Sequence, residues 1–260
     1  MTLRREWAVA AALLAAALVA WAVTWERMRG MDAGPGTDLG SVGWYVGVWV
    51  TMMAAMMLPS VAPMAMLFAR VNRERRARQR EGVASPVFLA GYLAVWLAYG
   101  LLAYGLYRLV DATLGDVLAW DRAGPYVAGG AIAAAGLYEL TPLKSVCLRH
   151  CRGPMHFIFG GWRDGPLGAF RMGAEHGAFC VGCCWGLMVV LFALGVMSLT
   201  WMIAVAGIVF AQKVLPGGDR ATYALAVVLV AAGAWVAFAP DSVPGLTQPD
   251  RAPAMQMEMG

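Results

Sequence analysis

Three cysteines fall within five residues, at Cys180, Cys183 and Cys184, inside the stretch His176-Gly-Ala-Phe-Cys180-Val-Gly-Cys183-Cys184-Trp-Gly-Leu-Met188. On an α-helix, residues three and four apart share a face. His176, Cys180, Cys184 and Met188 follow one another at steps of four, and Cys183 sits beside them. One helix face therefore offers an imidazole, thiols and a thioether in a column. Thiolate and thioether are soft donors that select Cu(I), or another soft metal, over hard cations. Structural zinc is less apt, because it requires four ligands in a closed tetrahedron. Free cysteine also packs as a small hydrophobe. A lone membrane cysteine is read that way, whereas three in phase with His and Met point to ligands.

A second group is Met52-Met53-Ala-Ala-Met56-Met57-Leu-Pro59, followed by Pro63, Met64 and Met66. Met52 and Met56, like Met53 and Met57, repeat at four residues, and the spacing predicts Met56 and Met57 near the middle of a span, level with Met188. Pro59 and Pro63 free backbone carbonyls. Methionine is also an adaptable filler of cores, and packing alone accounts for such a run. A third group, Cys147-Leu-Arg-His150-Cys151, places two thiols four residues apart, and Arg149 and Arg152 are expected to lower their pKa values. The C-terminal Met255-Gln-Met257-Glu-Met259 resembles a thioether trap, although a random tail of low hydropathy explains it almost as well.

These groups need elements to hold them. The chain has 260 residues, 60% hydrophobic and 14% charged, far from the composition of a soluble domain. Apolar runs of spanning length occur at about 7–25, 43–68, 85–109, 125–141, 177–197, 199–214 and 221–239. The expected fold is all-α: one polytopic transmembrane helix bundle over residues 1–240 with about seven spans, followed by a disordered Met-containing tail at 241–260. With the N-terminus in the cytoplasm, the inside segments hold about three times as many Lys and Arg as the outside ones. The basic excess orients the chain in a lipid bilayer, its first partner, and calls for no nucleic acid. Ala20-Trp21-Ala22 fits a signal-cleavage pattern, but the apolar run continues to Trp25, so an uncleaved first span is expected.

The second helix is expected to extend beyond the bilayer through the Arg-rich stretch after Arg70. Asp164 before Pro166 marks a helix start ahead of the fifth span. Gly129, Gly130, Ala133, Ala134 and Gly136, and likewise Gly182 and Gly186, suit close helix packing. Span centres carry no Asp, Glu, Lys or Arg, which speaks against a proton-coupled carrier. No Walker-type loop argues for ATP use.

Met53-Ala-Ala-Met56-Met57-Leu58-Pro59, Lys144-Ser-Val-Cys147-Leu148-Arg-His-Cys151-Arg152-Gly-Pro154 and Gly177-Ala-Phe-Cys180-Val-Gly182-Cys183-Cys184-Trp185-Gly-Leu187-Met188 resemble the hallmarks of a bacterial family of predicted metal-binding integral membrane proteins (domain of unknown function 2182), sometimes labelled copper chaperones. The likeness runs over roughly residues 43–215. It implies metal binding and marks Met53, Met56, Met57, Cys147, Cys151, Cys180, Cys183, Cys184 and Met188 as ligand candidates; the tail gains nothing from it.

The expectation is a Cu(I)-handling protein of a bacterial inner membrane, not an enzyme. Cys180, Cys183 and Cys184 are its primary ligands, Met56, Met57 and Met188 softer ones, and His176 an entry ligand. Cys147 and Cys151 are a cytoplasmic landing site that a copper donor or acceptor protein would meet. Two alternatives stand beside it: a membrane thiol-disulfide oxidoreductase, and an assembly subunit whose sulfur serves packing only.

Overall fold

The computed structural model describes residues 2–29, 38–78, 85–215, 218–244 and 246, without the side chains of 2–6, 154, 156, 159, 218 and 219. Part of the Arg-rich stretch, residues 79–84, and the tail methionines Met255, Met257 and Met259 lie outside the described residues. The described residues form α1 (Thr2–Met28), α2 (Val42–Ala77), α3 (Ser85–Leu114), α4 (Gly124–Glu139), α5 (Pro142–Arg152), α6 (Pro154–Gly160), α7 (Gly165–Leu194), α8 (Leu199–Val214) and α9 (Gly218–Phe238), then a single 3-10 turn. No strand occurs among them.

Local sequence accounts for several helix ends. Ser41 caps α2 by accepting from the Trp44 amide at 3.4 Å. Thr141 caps α5 by accepting from the Lys144 amide, with Pro142 in the first turn. Asp164 precedes α7 as expected, yet its carboxylate accepts from Arg75 at 2.8 Å and from the Trp162 indole at 2.9 Å rather than capping the helix. α2 passes through Pro59 and Pro63 without ending, and the Ser60 hydroxyl donates to the Met57 carbonyl.

Five helices are long and apolar enough to cross a membrane: Trp7–Met28, Val42–Ala77, Ser85–Leu114, Gly165–Leu194 and Arg220–Phe238. The other two apolar runs fold as α4 and α8, of 16 residues each. At 1.5 Å per residue each is about 24 Å long, short of the roughly 30 Å of a hydrocarbon core.

Contacts between helices give their directions. Trp49 of α2 meets Phe192 of α7 at 6.0 Å, and Arg75 of α2 meets Asp164 at the start of α7, so these two run antiparallel. α3 runs parallel to α7, with Phe88 at Gly173, Tyr92 at Gly177 and Tyr99 at Trp185. Tyr138 of α4 meets Gly182, and Lys213 of α8 meets Cys180. α4 and α8 therefore stop halfway down α7. α2, α3 and α7 continue past that level for several turns, and α5 lies against α7 there. The Arg-rich end of α2, the start of α7 and the end of α8 all face one end of the bundle.

The α3–α7 contact depends on absent side chains. A Cβ on Gly173 would overlap the Phe88 carbonyl oxygen, and one on Gly91 the Phe170 carbonyl. The expected close packing of α4 is found against α9, where Gly129 and Gly233 face each other's backbone.

Gly173→Val is expected to lower the thermal stability of the detergent-purified protein by about 1–3 kcal/mol, because only backbone is available to yield. Gly207→Ala, where a Cβ meets open space, is the control and should leave the melting temperature unchanged.

Candidate metal centre

α7 carries its chemistry on the face turned inward. His176, Cys180, Cys183, Cys184 and Met188 are all buried, whereas Trp185 between them is exposed. The close α3–α7 approach delivers the Tyr92 hydroxyl to Cys180 Sγ at 2.9 Å. From α8 the Lys213 Nζ donates to the same sulfur at 2.8 Å. Cys183 Sγ lies 3.3 Å from Cys184 Sγ and 3.7 Å from Cys151 Sγ, and donates to the Cys180 carbonyl at 3.2 Å. Cys151 and Cys184 both also interact with Cys180. Four thiols from α5 and α7 thus form one nest.

Cys147, the other half of the expected landing pair, does not join it. Its Sγ rests over Gly182, where a Cβ would stand 2.7 Å away. This glycine lets α5 approach α7. The tuning expected of Arg149 and Arg152 is corrected here. Burial pushes the Cys147 thiol up, and the only opposing influence is Lys144. Contact with Cys180 pushes the Cys151 thiol well up, with burial adding to it and Lys213 opposing. The Arg152 guanidinium is turned away and donates to the Leu215 carbonyl at 3.1 Å. His150 stacks on Phe179 at 4.1 Å.

The methionine helix is shifted by one turn from the expected register of Met56 and Met57 with Met188. Between the Trp49–Phe192 and Arg75–Asp164 contacts, each turn along α2 answers one turn back along α7. Met53 is therefore level with Met188, and Met57 with Cys184. Met53, Met56, Met57 and Met188 are all buried in the same core cluster. α2 and α7 are not packed backbone to backbone; α3 and α8 each contact both.

Beside the nest lies a polar network that the apolar periodicity does not reveal. Lys144 Nζ donates to Glu139 Oε1 at 2.7 Å, to Gln212 Oε1 at 3.1 Å and to the Cys183 carbonyl. Gln212 Nε2 donates to Glu139 Oε2 at 2.7 Å and to Thr222 Oγ1 at 3.4 Å. Tyr138 donates to the Gly182 carbonyl. A cavity of about 430 Å³, lined by Glu139, Lys144, Ser145, Arg149 and Thr222 among others, opens beside it. The polar residues Gln212 and Lys213, in the last turn of an otherwise apolar helix, are the one sequence signal that could have marked this network.

His176 completes the surroundings. It sits one turn below Cys180 among Phe88, Tyr92 and Phe157, and its Nδ1 is buried without a hydrogen-bond partner.

Among the described residues, no group of three or more His, Cys, Asp or Glu is arranged as it stands to hold a metal ion. The nest is closed rather than poorly stocked. A metal–sulfur bond of about 2.3 Å places three sulfurs about 4 Å apart around an ion, wider than the 3.3 Å and 3.7 Å found here. The donor set suits a soft ion.

A family model described as "Copper chaperone" matches residues 46–236. No curated protein and no solved structure matches the chain.

Lys144→Met should destabilise the fold by about 3–5 kcal/mol, since it leaves the Glu139 carboxylate buried and unpaired. Adding Glu139→Leu should recover most of that loss, as read by thermal unfolding in detergent.

Proposed function

The chain belongs to the copper chaperone family, and on that premise we propose that it handles Cu(I) within a bacterial inner membrane, with the N-terminus and the Arg-rich end in the cytoplasm. The observation that carries this is the convergence of Cys151, Cys180, Cys183 and Cys184, with Cys183 within 3.7 Å of two further thiols. Four reduced thiols, buried where α4 and α8 end, offer two- or three-coordinate sulfur sites to a monovalent ion arriving from the Arg-rich end. Cys151 on α5, the least buried of the four, is the point of entry. Cys147 and His150 lie near it as outer groups.

Met57 at the level of Cys184, and Met53 and Met188 one turn deeper, continue the donors beyond the nest. Thiolate binds Cu(I) more strongly than thioether, so thiols suit capture and thioethers suit onward passage. Exchange between such sites needs no general acid or base, and we assign the protein no enzymatic role. His176, with its unpartnered nitrogen one turn from Cys180, is a further ligand on the entry side. A copper donor or acceptor protein would dock at the Arg-rich end, beside α5.

The proximity of Cys151 and Cys183 also suits a thiol-disulfide oxidoreductase, but Cys183 is only 1% exposed, and a disulfide substrate would have to reach it through packed helices.

Protein purified without oxygen and supplied with Cu(I) should retain copper, and the Cys180→Ser, Cys183→Ser, Cys184→Ser triple variant should lose nearly all of it by elemental analysis. Met53→Leu with Met188→Leu should keep the bound copper yet release it more slowly to a chelator. Copper near zero in the wild type would sink the assignment, and a trapped mixed disulfide would favour the oxidoreductase instead.

A further inference from the structure

Lys213 is buried, 9% exposed, at the last turn of α8, and its Nζ lies 2.8 Å from Cys180 Sγ. The other buried lysine, Lys144, is neutralised by Glu139 at 2.7 Å. Among the described residues no carboxylate pairs with Lys213. The groups that face it are Cys180, Cys183, Cys184 and Tyr92, from α7 and α3, and Cys151 of α5, with His176 one turn away. Among the described residues the Lys213 ammonium is therefore balanced by no carboxylate, only by the sulfur of the nest itself.

We propose that Lys213 is the specificity-determining residue of the nest, its fixed charge favouring a monovalent over a divalent soft cation. The proposal rests on the assignment of the thiols as a copper site. Thiolates also bind the divalent ions Zn(II) and Cd(II) when geometry allows, so sulfur alone does not exclude them. Charge does. A monovalent ion held by two thiolates carries one net negative charge, and the Lys213 ammonium brings the site to neutrality. A divalent ion on the same two thiolates is already neutral, and the ammonium leaves the buried site with a positive charge. An uncompensated charge in a poorly polarisable interior is costly.

The size of the effect follows from distance. With the ion and the ammonium on opposite sides of Cys180 Sγ they stand about 5 Å apart, given a metal–sulfur bond of about 2.3 Å. Each unit of charge on the ion then feels a repulsion that, at an effective dielectric constant of about 20, corresponds to a factor on the order of a hundred in affinity. A divalent ion suffers it twice.

The test uses the full chain, purified reduced and without oxygen, with Cu(I) and Cd(II) affinities measured separately by chelator competition. Lys213→Met should raise Cd(II) affinity relative to Cu(I) by roughly tenfold to a hundredfold, and Lys213→Arg, which keeps the charge, should retain the wild-type ratio. Lys213→Gln, which keeps a hydrogen-bond donor without charge, should shift the ratio as Lys213→Met does, and it replaces that variant if the latter fails to fold. A merely structural lysine would change both affinities together, so an unchanged ratio in the neutral variants overturns the proposal. Wild-type protein that binds no Cu(I) through its thiols overturns the copper assignment itself, and this inference with it.

Discussion

A buried ammonium must be met by acceptors wherever it lies, and in this protein that requirement organises the site. Lys144 cannot stay charged inside the bundle unless Glu139, Gln212 and the Cys183 carbonyl all reach it. Those acceptors come from α4, α8 and α7, and Thr222 adds α9 through Gln212. Satisfying one charge thus fastens five helices at a single level. The same level holds the thiols, because Cys183 presents its carbonyl to Lys144 and its sulfur to Cys151 and Cys184. The network lies beside the sulfur, and it fixes the backbone from which the thiols project.

Helix length then decides where that network lies. α4 and α8 have 16 residues each and end beside Gly182 and Cys180, while α2, α3 and α7 run on. The short helices leave room for α5 to turn inward and bring Cys151 against Cys183. Polar groups that would be costly at mid-span are gathered where α4 and α8 terminate, near the Arg-rich end. The interior beyond holds thioethers but no charge. The gradient from thiol and ammonium to buried methionine follows from what each chemical group costs at its depth.

Much of the scaffold was legible in the chain. Apolar runs identified every long helix, and Asp164 with Pro166 marked the start of α7. The step-of-four spacing placed His176, Cys180, Cys184 and Met188 on one face, and all four are buried. Other features were not legible. Cys147 and Cys151 share a helix face, yet only Cys151 enters the nest, because α5 meets α7 at Gly182 and leaves Cys147 on the backbone. Arg149 and Arg152 looked like the cations that would tune these thiols. Burial and Lys144 act on Cys147 instead, and contact with Cys180, burial and Lys213 act on Cys151.

By itself, the sequence determined that this is a bundle of apolar helices with soft donors in phase on one of them, because hydropathy and helical periodicity are local properties. Only the tertiary structure decided which donors meet. Tyr92 and Lys213 reach Cys180 from other helices, and Cys151 joins Cys183 across 32 residues of chain. Those contacts depend on where glycines permit backbones to touch and where buried charges demand partners, and neither leaves a periodic trace along the chain.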